Sequence, residues 1–312
     1  MDIPTIFPPP LRPGDTIAII APAGPVHDPS AISPALSVLR DWGLITRLDD
    51  RVFASWRYLA GSDSDRAEEL MRCFEDPTVR AVLALRGGYG CSRLIPFLDE
   101  SRLRRNCKLV MGFSDVTTLH MYFRRRLGWV TVHGPMATTL SRDNLPPEAE
   151  RHLLSVLTDA QYLPTLSFPQ LESWVPGAAE GRLVGGCLSI LVASLGTKYE
   201  IKTEGKILFL EEYGEAPYRL DRMITHLRLA GKLNELAGIL LGDFRNCESD
   251  DHAYSSDEVL EELLCDLGIP VMAHFPAGHG GEHWALPLGI RVRLDADRKE
   301  LCFLEAAVEA SA

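Results

Sequence analysis

The chain has 312 residues, 46% of them hydrophobic, and a formal net charge of -11. That length is more than one ordinary core requires and predicts two domains. The acidic balance leaves no basic surplus to neutralise phosphates, which excludes nucleic acid and anionic membranes as expected partners and leaves a small molecule or short peptide.

The N-terminal stretch Met1–Gly14 holds five prolines and no basic region followed by an apolar one, so no signal peptide is expected. No uncharged apolar run reaches the roughly 18 residues a membrane helix needs. Seven cysteines are scattered singly from Cys73 to Cys302 without a Cys-x-x-Cys pair. They suit neither a disulfide framework nor a structural zinc site, and the expected location is the reducing cytoplasm.

In chain order, short apolar runs alternate with amphipathic stretches: Thr16–Ala21, Ala31–Trp42, Asp65–Phe74, Val79–Leu85, Lys108–Phe113, Val116–Leu127 and Val130–His133. Continuous apolar runs separated by helical patterns predict a parallel sheet buried on both faces, with binding residues at the carboxyl ends of its strands. The fold class is therefore α/β, with a Rossmann-like N-terminal domain over residues 1–160. Residues 161–178 are Pro-rich and aperiodic and read as a linker. Residues 179–312 form the expected second, smaller domain. It holds a Gly-rich apolar segment Gly181–Gly196, strand-like runs Lys206–Leu210 and Leu236–Leu241, an amphipathic Tyr218–Leu229, and antiparallel-type alternation in Gly289–Leu304.

Four segments can carry chemistry. Lys108-Leu-Val-Met-Gly-Phe-Ser114-Asp-Val-Thr-Thr-Leu-His120 runs from a buried strand through one glycine into a serine and an amphipathic helix. That is a nucleophile elbow in outline, but the usual G-x-S-x-G pattern is broken beyond Asp115, and on this segment alone a serine N-cap is the favoured reading. Leu85-Arg86-Gly-Gly-Tyr-Gly-Cys91 lets backbone amides approach a ligand, as an oxyanion hole or a carboxylate clamp with Arg86, or is simply a tight turn. It lacks the spacing of a dinucleotide loop. Leu208-Phe-Leu-Glu211-Glu212-Tyr-Gly-Glu215 puts acids at a strand end, to orient a histidine or to solvate the edge. Phe275-Pro-Ala-Gly-His279-Gly-Gly-Glu282-His283 places a histidine in a Gly/Pro loop and also matches the zinc-peptidase pattern H-x-x-E-H. Gly280 and Gly281 oppose the helix that zinc ligation would need, so no metal is expected. The order Ser, acid, His is one of those known for hydrolytic triads on α/β scaffolds.

Together these segments resemble the LD-carboxypeptidases, or muramoyltetrapeptide carboxypeptidases. The likeness covers Ala21-Pro-Ala-Gly24, Tyr58-Leu-Ala-Gly-Ser-Asp-Ser-Asp-Arg66, Arg86-Gly-Gly-Tyr-Gly90, Gly112-Phe-Ser-Asp-Val-Thr-Thr-Leu-His120 and His133-Gly-Pro-Met136. It continues through Gly181-Arg-Leu-Val-Gly-Gly186, Leu210-Glu-Glu212, Pro217-Tyr-Arg-Leu-Asp-Arg222, Gly278-His279 and Leu286-Pro-Leu-Gly289. The resemblance implies Ser114 as nucleophile, Glu211 as the acid orienting His279, and His279 as general base then acid. It also implies an oxyanion hole from the N–H groups of Gly88 and Asp115, with the site between the two domains. The family releases the terminal D-alanine of the murein tetrapeptide during cytoplasmic cell-wall recycling, with no cofactor and often as a homodimer. Arg86 is the candidate for the substrate's terminal carboxylate. Cys187 and His283 stand where the family usually has Asn, which puts substrate details in doubt. The alternatives are a same-family serine amidohydrolase, such as the microcin-immunity branch, acting on a peptidyl nucleotide or other amide, and a catalytically silent peptide-binding protein.

Overall fold

A computed structural model describes residues 3–249 and 254–310. It divides into two compact units, Met1–Tyr162 with Glu282–Pro287 and Ala306–Ala312, and Leu163–Gly281 with Leu288–Glu305.

The first unit is built on strands β1 (Thr16–Ile20), β2 (Ile45–Leu48), β3 (Val79–Ala84), β4 (Leu109–Gly112) and β5 (Thr131–His133). They pair in parallel, with β1 between β2 and β3 and with β4 between β3 and β5. The interior strands β1, β3 and β4 are buried almost throughout, as continuous Ile/Val/Leu/Ala runs require when helices cover both faces. The connecting helices include Ser33–Asp41 and Asp63–Glu75. The second starts where Ser62 accepts a hydrogen bond from the Asp65 N–H, with Asp63 and Asp65 in its positive first turn and Arg72 in its last. Phe74 on that helix meets Trp129 at 5.3 Å between ring centroids, and Phe123 stacks on Trp129 at 5.1 Å. All three are fully buried, and truncating one to alanine would cost about 3–5 kcal/mol.

The second unit is a mixed sheet. Its strands are β6 (Thr165–Leu166), β7 (Glu172–Val175), β8 (Ala178–Cys187), β9 (Lys206–Tyr213), β10 (Gly238–Arg245) and β11 (Val271–Ala273). After β12 (Leu286–Leu288), which joins the first sheet beside β5, come β13 (Arg291–Asp295) and β14 (Glu300–Phe303). The order is β6-β14-β13-β8-β9-β10-β11-β7. Its centre, β8 to β11, is parallel. Its flanks are antiparallel, including the β13–β14 hairpin read from the alternating tail. Residues 161–178, expected as a linker, contribute β6 and β7 to opposite edges of this sheet. Helices Leu188–Ala193, Pro217–Leu229 and Ser256–Leu264 complete the unit, the last opened by a reciprocal Ser255–Glu258 capping box. The chain is thus a parallel Rossmann-like unit with a smaller mixed α/β unit. No described helix is long and apolar enough to cross a membrane.

Candidate active site

In the first unit, Ser114 follows the end of β4 at the turn into a short helical segment, Ser114–Val116. Its φ is 61°, a left-handed conformation that a non-glycine residue adopts at a cost of about 1 kcal/mol or more and that commonly marks a functional turn. It is not the N-cap, since Phe113 holds that place and no side chain caps the turn. The capping reading of Ser114 therefore falls, and the elbow reading gains a strained backbone. Gly112, one residue before Phe113, has no room for a side chain, because a Cβ would stand 3.0 Å from Ala84 Cβ and from both methyls of Val116.

The glycine loop after β3 lies directly against this turn. A Cβ on Gly87 would be 2.8 Å from Ser114 Cβ and 2.9 Å from its Oγ. Asp115, buried, accepts the Cys91 N–H at 2.8 Å and so fastens the far end of the loop to the serine turn. Desolvation raises the Asp115 pKa, and the hydrogen bonds from Cys91 and Gly90 oppose that rise. Arg66, also buried, donates to the carbonyls of Pro22 and Gly90 and pairs with Asp63, joining the loop after β1 to the same assembly. Arg86 is exposed and donates to Pro25 O at 3.2 Å. Gly88 has a φ of 111° and packs over Gly24, where a Cβ would sit 3.4 Å from the Gly24 Cα.

His120, within the elbow motif but given no role by the sequence, donates Nε2–H to Gly112 O at 2.9 Å. Full burial drives its pKa down to about 3, so it is a neutral donor that holds the end of β4. Behind the serine turn, Phe113, His133 and His283 form a ring cluster. His133 and His283 stack at 5.3 Å, and Phe113 lies 4.5 Å from His283. His283 is therefore a packed, buried ring.

In the second unit, Glu211 stands near the carboxyl end of β9, fully buried. Its Oε2 accepts from His279 Nδ1 at 2.7 Å, which leaves His279 with Nε2 as its second ring nitrogen for chemistry. Burial works against the charged imidazole, but the Glu211 hydrogen bond and charge, with Glu212 and Asp243, raise the His279 pKa overall. Tyr213 flanks the ring at 5.2 Å. The His279 loop is forced against the strands by its glycines. A Cβ at Gly278, whose φ is 129°, would be 2.8 Å from Glu211 Oε2. One at Gly280 would be 2.4 Å from Asp243 Oδ2. Residues 274–285 contain no helix, so the condition for reading His279 and His283 as a zinc motif is not met.

Glu212, the neighbouring acid, is turned to a structural task. It accepts the N–H groups of Ser189 at 2.6 Å and Tyr213 at 2.9 Å. Cys187 Sγ lies 3.5 Å from Glu212 Oε1, and Cys187 is the β8 partner of Glu211 in the sheet register. Burial, with the charges of Glu211 and Glu212, pushes the Cys187 thiol well up, so it stays protonated and can donate to Glu212. Asp243, near the end of β10, carries a weaker form of the signal that singled out Glu211, because Gly242 separates it from the apolar run Leu236–Leu241.

Residues 17–134 match the LD-carboxypeptidase N-terminal domain, and residues 180–294 match the LD-carboxypeptidase C-terminal domain. A probable murein peptide carboxypeptidase of Bacillus subtilis is 38% identical over 305 residues, 97% of this chain and 95% of that one. The chain belongs to the LD-carboxypeptidase family. A crystal structure of muramoyltetrapeptide carboxypeptidase from Oxalobacter formigenes, 31% identical, superimposes with a TM-score of 0.81 over 92% of this chain and 97% of the other. The microcin C7 self-immunity protein MccF of Escherichia coli is 26% identical over 277 residues, 80% of each chain. A wild-type MccF structure reaches a TM-score of 0.89 over 97% of this chain and 100% of that one, and at 23% identity it shows a shared fold alone. As a member of this peptidase family, the chain is a hydrolase of peptide bonds.

Proposed function

We propose that this chain is a serine-type LD-carboxypeptidase that releases the terminal D-alanine from murein tetrapeptide in cytoplasmic cell-wall recycling. The observation that carries the reading is the 2.7 Å bond between buried Glu211 and His279, a base already oriented by its acid. The strained φ of Ser114 supports it from the other side of the reaction.

In the proposed reaction, His279 Nε2 takes the Ser114 hydroxyl proton as Oγ attacks the scissile carbonyl. The tetrahedral oxyanion is held by the N–H groups of Gly88 and Asp115, each worth about 10²–10³ in rate. When the C–N bond breaks, His279 returns the proton to the departing D-alanine amine. Water, activated by the same histidine, then hydrolyses the acyl-enzyme and restores Ser114. Glu211 keeps the imidazole in the required tautomer and stabilises its charged form. Arg86, exposed at the glycine loop, is the proposed clamp for the free carboxylate of the peptide. The seven cysteines, none of them in a disulfide among the described residues, suit a reducing compartment, and a homodimer is the oligomeric state we expect.

A second reading, hydrolysis of a microcin-like peptidyl nucleotide or another amide, draws on the fold shared with MccF. Cys187 and His283, in place of the family's usual amides, leave room for it.

Mass spectrometry of murein tetrapeptide incubated with the protein and with Ser114→Ala, both in chelator, tests the proposal. Loss of one D-alanine with the unsubstituted protein alone is the expected result. An unchanged tetrapeptide in both would redirect the search to other amides, and turnover by Ser114→Ala would end the serine mechanism.

A further inference from the structure

Outside the residues already given roles, one group in the second unit is built into the histidine loop from both directions. The Asp243 N–H donates to Ala277 O at 3.0 Å, and its carboxylate Oδ2 accepts the Gly280 N–H at 3.0 Å. A single residue therefore grips the loop two positions before His279 and one position after it. The neighbouring glycines make the grip tight. A Cβ at Gly242 would be 2.3 Å from Ala277 O, and one at Gly280 would be 2.4–2.6 Å from the atoms of the Asp243 carboxylate. Two residues upstream of Ala277, the Phe275 N–H donates to Leu241 O at 3.0 Å and continues the strap along β10.

We propose that Asp243 is a positioning residue for His279, fixing the ring's loop through Gly280 and supplying, with Glu211 and Glu212, a further negative charge that stabilises the imidazolium formed when His279 takes the serine proton. The inference rests on the triad reading above and adds to it. A charge that acts on the ring without touching the substrate favours the transition state, where the imidazole is protonated, over the ground state, where it is neutral. The charged groups acting on His279 are Glu211, Glu212 and Asp243, and those acting on Asp243 are Glu211, Arg245 and His279. Burial raises the Asp243 pKa to about 6, so the support is present at neutral pH and fades in mild acid.

The test is the pH dependence of Ser114 labelling by a fluorophosphonate, which needs the same base and no knowledge of the natural amide. Asp243→Asn keeps an oxygen for Gly280 but removes the charge. Its acid-limb midpoint is expected to fall by roughly 0.3–1 pH unit, the scale of a screened unit charge. Asp243→Ala, losing both contributions, is expected to react about tenfold more slowly again at the plateau. An unmoved midpoint in Asp243→Asn, with Ser114→Ala unlabelled, overturns the proposal while leaving the triad intact. Labelling that persists in Ser114→Ala overturns the triad instead. Should Asp243→Asn not fold, nuclear magnetic resonance titration of His279 in the unsubstituted protein decides the matter. Its Cε1 shift must then show a second inflection near pH 6, where Asp243 titrates, and a single inflection rejects the proposal.

Discussion

The Cβ that Gly87 lacks would stand 2.8 Å from the Cβ of Ser114, closer than side-chain carbons approach one another. Gly87 itself is not in the left-handed region, so an alanine there meets no backbone penalty and its whole effect falls on the serine. Gly87→Ala is therefore expected to fold with near-normal stability but to lose about 10²-fold in kcat/KM, because a displacement approaching 1 Å at a nucleophile costs on that order. Steady-state kinetics alongside thermal denaturation checks it, and unchanged kinetics would mean that Ser114 does not need its observed position.

Glu211→Gln should fold, since the amide is nearly isosteric, yet it can no longer hold His279 in the tautomer that leaves Nε2 basic. A fall of about 10³–10⁴ in kcat is expected, the scale seen when a triad acid becomes an amide. Glu212→Gln is the matched comparison. It disturbs the turn at Ser189 and should cost stability before it costs turnover.

The pH profile carries a definite sign. His279 must be neutral to accept the serine proton, and its pKa is raised by Glu211, Glu212 and Asp243 against the opposing effect of burial. Activity should consequently climb with pH through a midpoint above the ordinary histidine value of about 6.5. A profile of kcat/KM already flat at pH 6 would contradict this.

Glu69, on the helix Asp63–Glu75, is buried by desolvating neighbours, and its pKa rises to about 7 even though the Ala21 N–H opposes the shift. A carboxyl with a raised folded-state pKa destabilises the fold progressively as pH rises from the unfolded value toward the folded one, and by a constant amount above it. Glu69→Gln removes that cost while keeping an acceptor for Ala21. We expect it to stabilise the protein by about 1–3 kcal/mol at pH 8 and by almost nothing near pH 4.5, as read from urea midpoints at the two pH values.

The interior strands were legible in the sequence because burial on both faces writes itself as an unbroken apolar run. Thr16–Ile20, Val79–Ala84 and Leu109–Gly112 all follow that rule. The edge strand Ile45–Leu48 did not announce itself, since its residues are half-buried or exposed, with Ile45 57% accessible. Glu172–Val175 hid among prolines for the same reason, as an edge strand needs little apolar content. In the site, Ser114 and His279 stood out through the glycines around them, but spacing could not choose among the acids. The division of labour between Glu211 and Glu212 depends on which carboxylate points to the histidine and which to Ser189, a choice made by strand pleat rather than by composition. Asp243 was silent because an acid at a strand end reads as solvated until its partner, Gly280, is seen.

The place of β12 beside β5 has a consequence for how the chain comes off the ribosome. The first sheet's outer strand, Leu286–Leu288, is synthesised only after strands β6 to β11 of the second unit, so the β5 edge stays open on that side while more than a hundred residues are added. At about 5–20 residues per second this lasts roughly 10–30 s, during which β5 is an exposed parallel edge. Shortened chains ending before β12 should therefore be prone to aggregation.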